Sequence, residues 1–220
     1  MTVLLADEAA ARAWIADILS PDARAWARLD RFAAMLAAAS AQQNLIAAST
    51  VRHMWTRHIV DSAQLIPLAA GADPRGAWID LGSGAGLPGL VVAILHDFDV
   101  HLVESRRLRC EFLRAVVADL GLEPRVRVVE SRLELVATTQ AAVISARAFA
   151  PLPTLLALSA RFSTEKTRWI LPKGRNAAKE LALLPVAWQR LFHVEQSLTD
   201  PDSAILVGTG RIGEKGRKSV

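Results

Sequence analysis

The sequence predicts an α/β fold of seven strands: a parallel sheet with helices on both faces, an antiparallel hairpin at its edge, and a helical extension in front. Three observations carry that expectation. From residue 77 onward, strand-like and helical runs alternate, the pattern of a parallel sheet with helical crossovers. The first strand ends in a glycine-rich turn, Gly82 to Gly89, that leads into an apolar helical run. The last two apolar runs, 192–198 and 204–209, are joined by the turn Asp200-Pro201-Asp202, which folds them back on each other.

Residues 1–70 read as the helical extension. An amphipathic helix is expected over about 6–19, with Trp14, Ile15, Ile18 and Leu19 as its stripe. Ser20 and Pro21 read as cap and first position of a second helix carrying Trp26, Leu29, Phe32, Ala33 and Leu36. A third helical stretch, about 51–69, holds His53, Trp55, Arg57, His58 and Asp61. Residues 76–210 are the α/β domain. Its strands are expected at 77–81, 99–104, 126–129, 142–146 and 167–171, with helices at 87–96, 106–120, 152–162 and 176–184. Residues 211–220 read as a basic flexible tail.

Composition narrows the class. The 220 residues are 52% hydrophobic and 22% charged, which describes a soluble globular chain. Asp7 and Glu8 stand where a signal peptide needs a basic start and an apolar run, and the apolar region 77–95 is broken by Asp80, glycines and Pro88. A cytoplasmic chain without a membrane partner is expected, most simply a monomer. Cys110 is the only cysteine, so no internal disulfide can form, and it reads as core. His53 and His58 stand five apart, not on one ligating face, and no cysteines accompany them, so no metal site is expected. The formal net charge of +4, mostly arginine, hints at an anionic partner.

The glycine turn brings a bulky cofactor against bare backbone at the start of a helix. Gly84-Ala85-Gly86-Leu87-Pro88-Gly89 satisfies G-x-G-x-x-G, and Glu104 closes the second strand where a dinucleotide enzyme places its ribose-binding acid. A nicotinamide-dependent oxidoreductase is therefore one reading. Asp80 favours another. A carboxylate two residues before Gly82 can hold a cationic amino group, directly or through water, which suits S-adenosyl-L-methionine better than a pyrophosphate. Pro88 removes an N–H that a diphosphate would use. Gly82, Gly84 and Gly86 would let the methionine part approach the main chain, and the two oxygens of Glu104 suit a vicinal diol. The loop Ser131-Arg132-Leu133-Glu134 would flank the adenine.

Four segments together resemble the RsmG (GidB) family of bacterial 16S ribosomal RNA guanine-N7 methyltransferases: Asp80–Gly89, Ser145-Ala146-Arg147-Ala148-Phe149, Leu171-Pro172-Lys173-Gly174 and Arg57-His58-Ile59-Val60-Asp61-Ser62. The resemblance spans about residues 40–210. It implies a class I S-adenosylmethionine-dependent methyltransferase fold, Rossmann-like, with an N-terminal helical extension. It implies S-adenosyl-L-methionine as donor and a guanine in the decoding-region loop of 16S rRNA in the small ribosomal subunit as acceptor. By the resemblance, Gly82 and Leu87 contact the cofactor in the turn, Glu104, Ser105 and Arg106 lie at its ribose, and Leu133 and Glu134 at its adenine. Arg147 matches the arginine of the strand-four motif. No motif aligns over the first 35 residues or the tail. A non-catalytic RNA-binding protein on the same scaffold is the remaining alternative; it would be expected to have an eroded turn, and this turn is intact.

Guanine N7 carries a lone pair at neutral pH, so its methylation needs no general base. Catalysis is then positioning of an unstacked base. Arg147 is the candidate catalytic residue, holding O6, a phosphate or the cofactor carboxylate, and not N7 itself. Phe149 is either a stacking surface or core. Lys173, Arg57, Arg175 and His58 are the candidate RNA contacts, with Arg211, Lys215, Arg217 and Lys218 of the tail as further phosphate contacts. Asn44 and Asp61 are candidates for ordering the junction between extension and fold.

Overall fold

The computed structural model describes residues 4–213; Lys215, Arg217 and Lys218 lie outside the described residues. Helix α1 (Glu8–Leu19) opens at Asp7, whose carboxylate accepts from Ala10 N at 2.8 Å. Its buried side chains are Ala11 and Ile15, whereas Ile18, expected on the stripe, is 54% exposed. Helix α2 (Ala23–Gln43) is capped by Asp22. Ser20 instead ends α1 in a left-handed conformation, and Pro21 precedes the cap of α2. Asn44 closes α2, also left-handed.

The single helix expected over 51–69 is broken. A 3-10 turn (Ala48–His53) and a π turn (Trp55–Ile59) precede two short helices, α3 (Val60–Ala63) and α4 (Leu65–Leu68). The cause is Glu8 of α1. Its carboxylate accepts from Trp55 N at 2.8 Å, Thr56 N at 2.9 Å and the Thr56 hydroxyl at 2.8 Å. A continuous α-helix would give those two amides to the carbonyls four residues back. The first turn of the chain thus caps a π turn, a feature that recurs at functional sites.

The α/β part follows the expected alternation: β1 (Ala77–Leu81), α5 (Gly89–Leu95), β2 (Asp99–Glu104), α6 (Arg107–Asp119), β3 (Val126–Glu130), β4 (Ala141–Ala146), α7 (Leu152–Ser159), β5 (Arg168–Lys173), α8 (Ala177–Ala182), α9 (Val186–Gln189), β6 (Phe192–Gln196) and β7 (Ala204–Thr209). The seven strands lie in the order β3-β2-β1-β4-β5-β7-β6. The first five pair in parallel, and β7 inserts antiparallel between β5 and β6. The sheet order reverses between β1 and β4, so the crevice beyond their carboxyl ends is the natural ligand site.

Alternation along the strands divides the core. Trp78, Val100, Leu102 and Val143 face one side, packed with α5, α6 and the buried residues Ala11, Ile15, Leu29, Phe32 and Leu36 of the extension. Ile79, Leu81, Val103, Ile144 and Trp169 face the other, against Leu152, Leu155 and Leu156 of α7 and Trp188 of α9. The extension therefore shares a hydrophobic core with the sheet. That packing brings the π turn and Asp61 to the carboxyl end of β4.

Candidate active site

The glycine turn is held from below. Gly82 N and Ser83 N both donate to Val103 O, and Gly86 N closes onto Ser83 O at 2.7 Å. Gly82, Gly84 and Gly86 have φ of 67°, 55° and 83°, in the left-handed region. The space around them differs. A Cβ on Gly86 would lie 2.2 Å from Leu90 Cδ1, and one on Gly82 would lie 2.5 Å from Phe149 Cδ2. A Cβ on Gly84 would meet nothing nearer than Arg109 at 3.6 Å. Gly86 is therefore glycine for packing, and Gly84 is where bare backbone meets open space.

Asp80 lies beneath this turn and is fully buried. Its register partner in β4 is Ser145, whose hydroxyl donates to Asp80 Oδ1 at 2.8 Å and accepts from Trp78 Nε1 at 2.8 Å. Asp80 Oδ2 accepts from Gly89 N at 3.2 Å. Burial raises its pKa to about 6, against the lowering influence of the Ser145 and Gly89 hydrogen bonds and the Arg147 charge.

Glu104, at the end of β2, is 6% exposed. Oε1 accepts from Ser105 N at 2.7 Å and Arg106 N at 2.9 Å, and Oε2 from Gly84 N at 3.0 Å. Arg109 stands 3.7 Å away. Three backbone amides and one cation thus fix a carboxylate against the open glycine of the turn. Beyond β3, residues Leu133–Leu135 form a 3-10 turn. Arg161 pins it, donating to the carbonyls of Leu133, Glu134 (3.0 Å) and Val136 (2.8 Å).

Past β4 the chain opens a cavity of about 680 Å³, within the usual size of small-molecule sites. Asp61, Arg147, Phe149, Lys173, Asn176 and Glu180 are among its lining. Arg147 NH1 donates to Asp61 Oδ2 at 3.2 Å. Asp61 Oδ1 accepts from Thr199 Oγ1 at 2.7 Å and Gln64 Nε2 at 3.0 Å. Ala148, between Arg147 and Phe149, has φ of 53°, an uncommon conformation for a residue with a Cβ. It turns the chain so that Arg147 lines the cavity while Phe149 covers Gly82. Phe149 is the wall between the cavity and the glycine turn.

A family model, GidB, described as rRNA small subunit methyltransferase G, matches residues 25–202. The chain belongs to this family. It is 64% identical over 214 residues to the Ribosomal RNA small subunit methyltransferase G of Sphingopyxis alaskensis, covering 97% of this chain and 91% of that protein. It is 50% identical over 205 residues to the protein of the same name from Novosphingobium aromaticivorans, covering 93% and 89%. Among solved structures, geranyl diphosphate methyltransferase in complex with SAM aligns with a TM-score of 0.56 at 12% identity, over 74% of this chain and 88% of that one. That likeness is one of fold, the class I S-adenosylmethionine-dependent methyltransferase fold.

Within this GidB-family chain, Gly82, Gly84, Glu104, Ser105, Arg106 and Arg147 converge at the carboxyl end of the sheet. Other expected roles need correction. Asp80 is fully buried, with Ser145 and Gly89 on its two oxygens, so it braces the turn and does not meet a cationic amino group directly. The space above Gly86 is filled by Leu90, and Leu87 is 3% exposed as a whole residue, with its amide on Ser83 O, so it belongs to the core. Leu133 is buried and Glu134 exposed, with both carbonyls engaged by Arg161.

The RNA contacts divide further. His58 is buried, with Nε2 on Thr50 Oγ1 at 2.8 Å, so it meets no RNA surface. Burial first, then Arg147 and Arg57, push its pKa down to about 4. Lys173 is 10% exposed and ion-paired to Glu180 at 2.9 Å, which corrects its role as a phosphate contact. Arg57 holds Asp200 at 2.8 Å with 44% of its side chain exposed. Arg175 is 79% exposed and stands 3.8 Å from Asp202. Arg211 lies 3.6 Å from Glu165. Glu8, Arg161, Glu180 and Thr199 were missed because their partners are distant in sequence. Glu180 does follow Lys173 by seven residues, but no local pattern pairs them.

Proposed function

We propose that this chain transfers a methyl group from S-adenosyl-L-methionine to N7 of a guanine in the decoding-region loop of 16S rRNA, acting as a cytosolic monomer on the small ribosomal subunit. The carrying observation is the placement of the Arg147 cavity beside the Gly84–Glu104 contact, with Phe149 as their shared wall. The relatives' names supply the substrate class.

The residues fit the cofactor. Glu104 is a carboxylate preset by amides at the edge of an open turn; Oε1 is filled by two amides, and Oε2, which accepts only from Gly84 N, retains lone-pair capacity for a ribose hydroxyl. Gly84 offers bare backbone with open space above it. When bound, the sulfonium supplies an electrophilic methyl. The remaining work belongs to the protein. Arg147 presents a guanidinium to the cavity, oriented by Asp61, for O6 or a phosphate of the acceptor nucleotide. The cavity admits an unstacked base and holds it in line for attack. Among the described residues no helix is long and apolar enough to cross a membrane.

A nicotinamide reading fares worse. Pro88 has no N–H, and the first N–H of α5, on Gly89, is spent on Asp80. A pyrophosphate would find neither donor.

The test is transfer of labelled methyl to small-subunit particles lacking the modification, followed by mapping of the product. A single N7-methylguanine in the decoding-region loop is expected. Label on another base or another RNA, or none with the cofactor bound, would reject the assignment.

A further inference from the structure

The ion pair at the far wall of the cavity has hydrogen-bonding capacity left over. Lys173 Nζ has three protons. One goes to Glu180 Oε2 at 2.9 Å and one to Ala150 O at 3.3 Å. Glu180 Oε2 also accepts from Leu152 N at 2.9 Å, the amide that opens α7. Glu180 Oε1 accepts no hydrogen bond among the described residues, and both side chains line the cavity. The pair is anchored by backbone on one side and leaves one donor and one acceptor, adjacent to each other, on the other.

That pattern matches one base. Guanine presents an acceptor, O6, next to donors at N1 and the 2-amino group. Adenine inverts the first two, with a 6-amino donor beside an N1 acceptor. Unpaired RNA bases are commonly read on this edge. We propose that Lys173 and Glu180 read the Watson–Crick edge of the acceptor guanine, Lys173 Nζ donating to O6 and Glu180 Oε1 accepting from N1–H and the 2-amino group. The edge carrying N7 stays uncovered. Lys173 is 10% exposed and Glu180 27%, so a mismatched base leaves poorly solvated groups unpaired. The inference rests on the cavity being the acceptor pocket.

The test uses the whole enzyme and particles reconstituted with a chosen base at the acceptor position. The first arm needs no variant. Particles carrying 2-aminopurine, which keeps N7 and the 2-amino group but lacks O6 and N1–H, should compete with guanine particles on the order of ten- to a hundredfold less well. Equal competition would overturn the proposal. The second arm is Glu180→Gln. Its amide oxygen can keep Leu152 N and Lys173, which puts an NH₂ where Oε1 stood and replaces the acceptor with a donor. Cofactor affinity should hold, and the melting temperature should fall modestly with the loss of the charge opposite Lys173. The guanine kcat/KM should fall on the order of tenfold or more, and adenine particles should compete better than against the wild type. Unchanged kcat/KM, or an equal loss for both bases, would overturn it. Absence of any transfer to guanine by the wild type would instead reject the pocket reading itself.

Discussion

Asp61 Oδ2 accepts a hydrogen bond from Arg147 at 3.2 Å, joining the helical extension to the end of β4. Neither side chain is more than a quarter exposed, and Thr199 and Gln64 hold the other oxygen of Asp61. The pair therefore orients the guanidinium from three separate segments. Asp61→Asn keeps the shape and removes the charge. Charge-assisted hydrogen bonds contribute about 1.5–3 kcal/mol, so transfer to particles is expected to fall about ten- to a hundredfold. Cofactor affinity by calorimetry should change far less. Arg147→Lys should lose at least as much, because an ammonium cannot replace the fork. Wild-type single-turnover rates in Asp61→Asn would remove the pair from the mechanism.

Two glycines of the turn, Gly84 and Gly86, should separate binding from stability. Gly84 has open space above it but φ of 55°, and a β-branched residue there costs about 1–2 kcal/mol in backbone strain. Gly84→Val is expected to abolish cofactor binding with a modest drop in melting temperature. Gly86→Ala places a methyl 2.2 Å from Leu90 Cδ1 and should destabilise the protein by about 1–3 kcal/mol. A Gly86→Ala protein that melts normally yet fails to bind cofactor would reassign Gly86 to the ligand surface.

The sheet was legible because strand and helix alternate with different periods, and every strand expected from that alternation formed. Glu104 and Gly84 were legible because both lie at strand ends whose positions the pattern marks. Side-chain partnership was not. Lys173 looks like a free cation at the end of a strand, and only folding brings Glu180 to it. His58 sits in a motif with exposed Arg57, but the π turn rotates it inward. That turn depends on Glu8, about fifty residues earlier, which no local period connects to Thr56.

Arg161 is the clearest case of a residue acting at a distance from its own element. Its guanidinium holds three carbonyls of the loop after β3, beside the expected adenine position. Arg161→Ala frees those carbonyls and loosens the loop. The KM for S-adenosyl-L-methionine should rise on the order of tenfold, as a charged-donor hydrogen-bond set is lost, with kcat and the particle KM within a fewfold of wild type. Arg161→Lys should recover part of the loss. A fall in kcat at saturating cofactor would show instead that the loop orders the acceptor side.

His58 supplies a pH test of the junction beneath the site. Its folded pKa is about 4 against an unfolded 6.5, set by burial and by Arg147 and Arg57, with Glu8 opposing. Below 6.5 the unfolded chain binds a proton that the folded chain refuses, so stability falls as pH drops from 6.5 towards 4. The full difference corresponds to at most about 3 kcal/mol. Asp80 acts in the opposite sense: its raised folded pKa of about 6 adds stability as pH falls from there towards 3.8. The wild-type profile alone mixes the two. His58→Asn removes only the histidine contribution, so the difference between variant and wild-type unfolding free energies isolates it. The variant should gain on the wild type steadily between pH 6.5 and 4 in denaturant titrations. A pH-independent difference would mean that His58 titrates normally in the folded protein and that the π turn does not seal it from water.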